Sequence, residues 1–315
     1  MSDLKLYRIN NNNAVELPAA ASRLEKDLQR IVESNMEALF GVRLLASEFS
    51  TGPVHGGRMD SIGIDENGTP VIFEYKRNVS DSVINQGLFY LDWLMDHQGD
   101  FKVLGMDKLG KNAVDSIDLS SPRLVCVAND FTRYDEHAIR QMGRSIELVR
   151  YQIFDNELLA LELVASTAVA ASRSSAMLSA TTPQPAPTAA SSPTPAKHSA
   201  VHDHLAKSSQ ALRDIYEELR TEIEALGDDI TMKMTKHYVA FRRIKNFASV
   251  EVYSQSNKLL VFVKVDPSSV ALESGFSRDV TTIGHMGTGD LELTITDSTT
   301  LSRAMSLIQK SYEDN

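Results

Sequence analysis

Three charged residues in one predicted hairpin carry the strongest chemical signal in this sequence. Residues 59–77 read MDSIGIDENGTPVIFEYKR, two runs of β-forming residues on either side of a polar turn. These runs contain Asp60, Glu74 and Lys76, although strands of this composition usually lie in a protein's interior. Carboxylates are ligands that Mg²⁺ prefers, and a lysine can orient a water molecule or stabilise charge developing on a phosphate. The stretch therefore predicts metal-assisted chemistry on a phosphate.

The register expected for this hairpin brings the two carboxylates together. If the turn consists of the three residues 66–68, Asp60 lies directly opposite Glu74, and their side chains share one face of the sheet. Lys76 points to the same face because side chains alternate along a strand. Two carboxylates this close repel each other, and a divalent cation with a nearby backbone carbonyl would resolve the repulsion. A two-residue turn would destroy this arrangement.

A predicted helix at residues 22–41 offers a third acid. Its apolar stripe is centred near Leu28, and Glu25 lies about 60° from that centre when each residue turns the helix by ~100°. We therefore expect Glu25 to be the acidic residue of this helix that faces the sheet, and a candidate metal ligand through a water molecule. The other acidic residues lie farther round the helix: Asp27, Glu33 and Glu37.

Gln86 and Tyr90 stand four residues apart in the next predicted helix, so they share one helical face. They are candidates to bind a phosphate or to hold the lysine. Arg58, beside the glycines of HGGRMD, and Arg77 are candidate phosphate contacts, with a plain loop and simple surface charge as the alternatives.

Strands and helices alternate through the first half of the chain, which predicts an α/β domain with a mixed central sheet. The predicted helices cover residues 22–41, 82–97 and 135–143. The predicted strands cover residues 4–9, 42–49, 59–65, 70–76, 123–128, 146–154 and 157–164. Trp93 falls on an apolar helical face and is expected in the core.

A stretch of Ala, Ser, Thr and Pro divides the chain. It predicts a flexible linker at residues 166–202, between an N-terminal domain at 1–165 and a small α+β domain at 203–315. In the second domain, helices are predicted at both ends, with strands between them. Its Arg242 and Arg243 are candidate nucleic-acid contacts, although strand alternation would place them on opposite faces.

Composition limits the function classes. The 315 residues carry a formal charge of −10, which disfavours coating nucleic acid by bulk electrostatics but leaves room for a local basic groove. Cys126 is the single cysteine, so an internal disulfide is impossible and a cysteine-based zinc site is implausible. A leader peptide and a spanning segment are not recognisable, so we expect a cytoplasmic protein that does not bind membranes.

The chemical residues together resemble the PD-(D/E)XK nuclease superfamily, in particular its RecB-like branch, which includes the archaeal and actinobacterial mismatch-specific endonuclease. The residues that carry this resemblance are Glu25, Asp60, Glu74, Lys76, Gln86 and Tyr90. The runs LEKDLQRIVESN and DSIGIDENGTPVIFEYKR also resemble a bacterial group with this domain in front and a small domain of unknown function behind, often labelled predicted transport proteins. One departure is Met59, which stands where the superfamily's name has proline.

The resemblance implies a restriction-endonuclease-like fold and a Mg²⁺-dependent nuclease acting on DNA in repair or in defence against foreign DNA. It implies that Asp60 and Glu74 bind Mg²⁺, with Mn²⁺ as a substitute, and that Lys76 assists the attacking water. It further implies that Glu25 completes the acidic site, and that Gln86 and Tyr90 support it or contact DNA. A homodimer and a protein partner of the C-terminal domain are further expectations.

A second function class stays open: a module that kept the fold, lost the chemistry, and binds nucleic acid or protein. In that case Glu74 and Lys76 form an ordinary cross-strand ion pair, and Gln86 and Tyr90 pack beneath the sheet.

Overall fold

The computed structural model describes residues 4–19, 25–76, 82–114, 116–167 and 200–315. Its N-terminal domain is a mixed α/β domain, as the alternation of strands and helices predicted. Its elements are β1 (Leu6–Asn10), β2 (Asn13–Leu17), α1 (Glu25–Ser34), α2 (Met36–Phe40), β3 (Val42–Ser50), α3 (Gly52–His55), β4 (Arg58–Asp65), β5 (Pro70–Lys76), α4 (Ser82–Asp96), α5 (Gln98–Leu109), α6 (Lys111–Val114), β6 (Arg123–Ala128), α7 (Arg133–Gln141), β7 (Ser145–Phe154) and β8 (Leu158–Thr167).

Strands β3 to β8 form one six-stranded sheet in chain order. The sheet is mixed: β3, β4 and β5 are antiparallel, β5, β6 and β7 are parallel, and β8 returns antiparallel to β7. Each parallel step needs a crossover, and helices α4–α6 and α7 supply them. Strands β1 and β2 form a separate two-stranded ribbon.

The β4–β5 hairpin has the register on which the predicted site depends. Ser61 pairs with Phe73 and Ile62 with Ile72, so Asp60 lies opposite Glu74, as expected for a three-residue turn. The Asp65 carboxylate stabilises this turn by accepting hydrogen bonds of 2.9 Å from the backbone N–H groups of Asn67 and Thr69. Gly68 completes the turn with φ +75°, a conformation that few other residues adopt without strain.

Helices pack on both faces of the sheet. The apolar side of α1, including Leu28 and Val32, packs with Phe73 and Tyr75 on one face. Trp93 of α4 packs with the apolar residues of the opposite face, which confirms its place in the core. The predicted helix at 22–41 divides at Asn35 into α1 and α2, and it ends at Gly41 in the left-handed conformation that the glycine suggested.

The sequence patterns missed several short or weakly patterned elements. Helix α5 has almost no one-sided apolar pattern in its sequence, and only Phe101 and Gly105 of its residues are buried. The other missed elements are short: β2, α3, α6 and, in the C-terminal domain, β13.

The C-terminal domain is an α+β domain, as predicted. Its elements are α8 (Ala200–Lys207), α9 (Gln210–Glu224), β9 (Thr231–Met234), β10 (Val239–Arg242), β11 (Asn246–Tyr253), β12 (Lys258–Val263), β13 (Ser277–Asp279), β14 (Leu291–Ile295) and α10 (Ser298–Asp314). They form a six-stranded antiparallel sheet in the order β13-β14-β12-β11-β10-β9, with apolar residues of α8, α9 and α10 packed on one face.

The linker prediction falls mainly on residues 168–199, which lie outside the described residues. Among the described residues, no helix is long and apolar enough to cross a bilayer.

The two domains meet at the turn of the β4–β5 hairpin. Asn67 in this turn and Asn246 of β11 exchange two amide hydrogen bonds of 3.1 and 2.8 Å, and both residues are buried. The Tyr238 hydroxyl donates to Asn67 Oδ1 at 3.0 Å. Lys264 Nζ lies 2.5 Å from Glu66 Oε1. A buried amide leaves polar atoms unsatisfied if its partner is removed, so these contacts make a specific interface rather than a loose tether.

A buried charge network crosses the same interface. Arg123 contacts Asp65 and Glu147 at 2.8 Å each, and Arg242 of the C-terminal domain contacts Glu147 at 3.0 Å. Burial alone would raise the pKa of both carboxyls. The neighbouring positive charges together outweigh burial, so the pKa of Asp65 and the pKa of Glu147 lie below their ordinary values. Arg123 contributes most to this lowering, followed by Lys233 and Arg242 at Asp65 and by Arg242 at Glu147.

This network corrects the expectation that Arg242 is a nucleic-acid contact. Its side chain is only 6% exposed and is paired with Glu147, so it has no free surface to offer a phosphate. Arg243 is partly exposed, but its Nε lies 2.6 Å from Asp229 and its guanidinium stacks over Tyr312. Strand β10 ends at Arg242, so Arg243 lies beyond the strand, and each arginine has a partner within the protein.

Replacing Arg242 with alanine should lower the free energy of unfolding by about 3–5 kcal/mol, because it leaves the Glu147 charge buried with fewer partners. Arg220→Ala is the matched control, since its pairs with Glu217 and Glu224 on α9 are exposed. That change should cost about 0–1 kcal/mol. Urea unfolding followed by circular dichroism measures both, and equal losses would contradict the assigned role of the network.

The network should also make stability sensitive to acid. The folded-state pKa of Glu147 is below its ordinary value of 4.5, so its ion pairs stabilise the protein fully above about that pH. This stabilisation is lost as the pH falls through the lower folded-state pKa. Glu147→Gln should therefore flatten the fall of unfolding free energy below about pH 4.5, whereas Glu218→Gln, on exposed α9 surface, should not. Parallel curves for all three proteins would contradict this assignment.

Candidate active site

The β4–β5 hairpin brings Asp60 and Glu74 into direct contact at the end remote from its turn. The backbone N–H of Asp60 donates to Glu74 Oε1 at 3.3 Å, and the backbone N–H of Tyr75 donates to Asp60 Oδ2 at 3.0 Å. Each carboxylate therefore accepts a hydrogen bond from the partner strand. Glu74 accepts it from the backbone of Asp60, and Asp60 accepts it from the residue after Glu74. The structure thus places side by side the two residues predicted to hold a metal ion.

Glu74 is a buried acid with an unsatisfied oxygen. Its residue exposure is 0%, and its Oε2 has no hydrogen-bond partner. Burial, followed by the charge of Asp60, raises the pKa of Glu74 to about 9. Burial also raises the pKa of Asp60 above its ordinary value. Such a pair is costly to hold without a compensating positive charge.

Lys76 supplies part of that charge. Its Nζ lies 3.4 Å from Glu25 Oε1, so the amine reaches α1 from the end of β5. The charge of Lys76 lowers the pKa of both Asp60 and Glu74, although burial prevails. Lys76 therefore pairs with Glu25 and also acts electrostatically on the two acids of the hairpin.

Helix α1 contributes two further residues that the sequence patterns did not single out. Gln29 is buried and donates to the backbone carbonyl of Asp60 at 2.9 Å. Glu33 Oε1 accepts a 2.7 Å hydrogen bond from Ser61 on β4. The expectation that Glu25 alone among the acids of this helix faces the sheet was wrong, because the Glu33 side chain reaches across to a strand hydroxyl. The spacing of four between Gln29 and Glu33 was the available signal.

Gln86 and Tyr90 share a face of α4, as their spacing predicted, and they bind each other. Gln86 Nε2 donates to the Tyr90 hydroxyl at 3.2 Å, and the backbone N–H of Arg58 donates to the same oxygen at 3.2 Å. Tyr90 is buried. The pair therefore anchors the start of β4, two residues before Asp60. Within the described part of the chain, no hydrogen bond joins either residue to Lys76.

The structure places the remaining predicted phosphate contacts as follows. The Arg58 side chain is 65% exposed at the start of β4, and its Nε lies 2.6 Å from Glu48 Oε2 on β3. Arg77 lies outside the described residues.

The acids fit a divalent cation. The unpaired Glu74 Oε2 and the adjacent Asp60 carboxylate are hard oxygen donors that lack a counter-charge. Within the described ranges, no three His, Cys, Asp or Glu side chains converge as a ready-made metal cage. Mg²⁺ commonly binds one or two carboxylates and keeps the rest of its ligands as waters and substrate phosphates. Glu25 contacts Lys76, and Lys76 in turn is a charged neighbour of the acidic pair.

Two sequence comparisons bear on the chain. Residues 201–315 match a family described as a domain of unknown function, DUF5655. A protein of Haemophilus influenzae, described as an uncharacterized protein, is 28% identical over 319 residues, covering 99% of this chain and 100% of that protein. The C-terminal domain thus coincides with a separately defined unit.

Three solved structures show similarity to under half of the chain. A repair endonuclease from Pyrococcus abyssi aligns with 42% of this chain at 19% identity, with a TM-score of 0.28. A complex of EndoMS with double-stranded DNA aligns with 45% at 20% identity and a TM-score of 0.30, and EndoMS in apo form aligns with 46% at 16% identity and a TM-score of 0.27. This chain covers 49%, 49% and 65% of those chains. Function has to be argued from the site itself.

Replacing Tyr90 with phenylalanine should lower the free energy of unfolding by about 1–3 kcal/mol, because the Arg58 N–H and the Gln86 amide lose their acceptor. Tyr134→Phe serves as a control, since that hydroxyl is exposed and accepts only from the neighbouring Arg133. We expect the control change within about 0.5 kcal/mol. Thermal and urea unfolding measure both variants, and an unaffected Tyr90→Phe protein would refute the anchoring role.

Proposed function

We propose that this chain is a Mg²⁺-dependent nuclease that hydrolyses DNA phosphodiester bonds, in DNA repair or in defence against foreign DNA. The observation that carries the proposal is the contact between Asp60 and Glu74, with one buried Glu74 oxygen unpaired and Lys76 beside them. Groups with strongly shifted pKa values and a specific charged neighbour are typical of active sites.

The residues divide the work in a way that their contacts support. Asp60 and Glu74 hold the cation, which supplies positive charge to polarise the scissile phosphate when it is bound. The Lys76 amine orients the attacking water and stabilises negative charge that develops on the phosphate. Glu25 holds Lys76 in place through the 3.4 Å ion pair.

A shell of neutral groups fixes the backbone that bears the acids. Gln29 binds the carbonyl of Asp60, and Tyr90 binds the N–H of Arg58. These contacts lie on opposite sides of the sheet, one from α1 and one from α4. Holding a constellation rigidly in this way reduces reorganisation during the reaction.

The second candidate is a module that binds nucleic acid or protein without cutting. The docked C-terminal domain favours keeping this candidate, because it adds a second folded domain at the turn end of the hairpin, remote from the acids. The intact set of two acids and a lysine favours the nuclease. DNA as the partner, a cytoplasmic location, Mn²⁺ as a substitute metal and a homodimer belong to the same proposal.

Cleavage assays on linear, nicked, mismatched and single-stranded DNA test the nuclease, with titration calorimetry for Mg²⁺ affinity. Asp60→Ala and Glu74→Ala should abolish both cleavage and metal binding. Lys76→Ala should reduce cleavage by about 10²–10⁴-fold while metal binding survives, because the amine acts on the water and phosphate.

Lys236→Ala, an exposed lysine of the C-terminal domain, is the matched control and should retain full activity. Cleavage that survives Lys76→Ala, or metal affinity indifferent to both carboxylates, would eliminate the catalytic proposal. DNA binding without cleavage of any substrate would support the binding module.

A further inference from the structure

A cavity of about 520 Å³ lies between the end of β3 and helices α4 and α5. Its lining is mainly apolar and includes Phe49 of β3, Trp93 of α4, and Val103 and Leu104 of α5. The rings of Phe49 and Trp93 meet edge to face, with their centroids 5.6 Å apart. This volume and this lining are typical of pockets that take up an organic group. We call it the α4–α5 cavity.

The indole N–H of Trp93 is a buried donor without an acceptor. Trp93 is 3% exposed, and among the described residues its Nε1 has no hydrogen-bond partner. The His97 ring stacks on the indole at a centroid distance of 4.8 Å, and its Nδ1 lies 2.9 Å from the backbone oxygen of Trp93. Buried indole N–H groups usually find a partner. A ligand of this cavity is therefore expected to bring an acceptor, such as a backbone carbonyl.

Two acids of α5 line the same cavity. Asp100 and Asp107 are exposed and lie seven residues apart, which puts them on one side of the helix. Within the part of the chain that the structure describes, neither carboxylate has an ion-pair partner. Their charges attract lysine and arginine side chains and repel phosphate groups. The cavity therefore favours a basic partner and disfavours the backbone of a nucleic acid.

Helix α5 also leaves apolar side chains in solvent at this surface. Val103 is 66% exposed, and Met106, three residues further on and so on the same helical face, is 42% exposed. Only Phe101 and Gly105 of this helix are buried. Apolar surface bordered by polar residues is typical of protein-interaction sites. The charge and the apolar surface thus indicate the same kind of partner.

We propose that the α4–α5 cavity binds a segment of a partner protein that carries an apolar side chain flanked by lysine or arginine. The apolar side chain fills the space against Phe49 and Trp93, and a backbone carbonyl of the segment accepts from the Trp93 indole. The basic residues pair with Asp100 and Asp107. The surface belongs to the N-terminal domain, and it uses none of the residues proposed to hold the cation.

Trp93 is the only tryptophan of the chain, so intrinsic fluorescence reports directly on this cavity. A phage-displayed library of random peptides is selected on the full chain, and the enriched peptides are synthesised and titrated. We expect the enriched peptides to carry an aliphatic or aromatic residue close to lysine or arginine, and to shift the Trp93 emission on binding. The same peptides with glutamate in place of their basic residues should not bind.

Changes in α5 test the protein's side of the contact. Asp100→Asn combined with Asp107→Asn should weaken binding by about two- to thirtyfold, the range expected for the loss of two exposed ion pairs. Val103→Lys should abolish measurable binding, because it places a positive charge between the two acids. Position 103 lies three residues from Asp100 and four from Asp107, spacings at which opposite charges stabilise a helix, so the fold should be retained. Leu272→Lys, at an exposed apolar residue of the C-terminal domain, is the matched control and should bind like the wild type.

Enrichment of acidic peptides, or of none, would overturn the proposal, and so would equal affinity of the wild type and the Val103→Lys protein. A DNA duplex that competes with the peptides would assign the cavity to nucleic acid instead. A dimer in sedimentation analysis that Val103→Lys disrupts, with Trp93 emission that depends on protein concentration alone, would assign it to an interface between copies of this chain. Cleavage enters none of these readouts, so failure here leaves the proposed nuclease standing.

Discussion

The register of the β4–β5 hairpin is the constraint on which the rest of the structure depends. A slip of one residue would turn Glu74 to the other face of the sheet, away from Asp60, because side chains alternate along a strand. The register is set at the turn, where the Asp65 carboxylate binds two backbone N–H groups and Gly68 adopts positive φ. Asp60 and Glu74 are thus positioned by a turn at the opposite end of the same hairpin.

Buried carboxylates lie near both ends of this hairpin, and their pKa values are shifted in opposite directions. At the turn, Asp65 and Glu147 are fully paired with Arg123 and Arg242, and their pKa values are lowered. At the other end, the carboxylates of Asp60 and Glu74 are short of positive charge, and their pKa values are raised. Paired charges in a protein interior are structural, whereas an uncompensated group is held at a cost that binding of a ligand can recover. The C-terminal domain contacts the end of the hairpin at which the charges are paired.

Local patterns predicted much of the fold and the centre of the site. Strands β5 and β6 and helix α4 follow from continuous apolar runs with clear ends, and the Asp60–Glu74 contact follows from the turn length alone. Glu33 was missed because its long side chain reaches a strand hydroxyl from outside the apolar stripe of α1. Helix α5 was missed because it has almost no one-sided pattern. Arg242 was misassigned because a basic residue near aromatic residues has the same sequence pattern in a binding groove and in a buried ion pair.

The sequence by itself determined the alternation of strands and helices, since that pattern depends on neighbours in the chain. It predicted facing acids only if the hairpin turn has three residues, and the observed register has such a turn. Only the tertiary structure decided that Glu48 of β3 pairs with Arg58, that Lys76 meets Glu25, and that the C-terminal domain closes on the hairpin turn. The physical reason is that these contacts join residues from separate elements, and their geometry depends on the packing of the whole sheet.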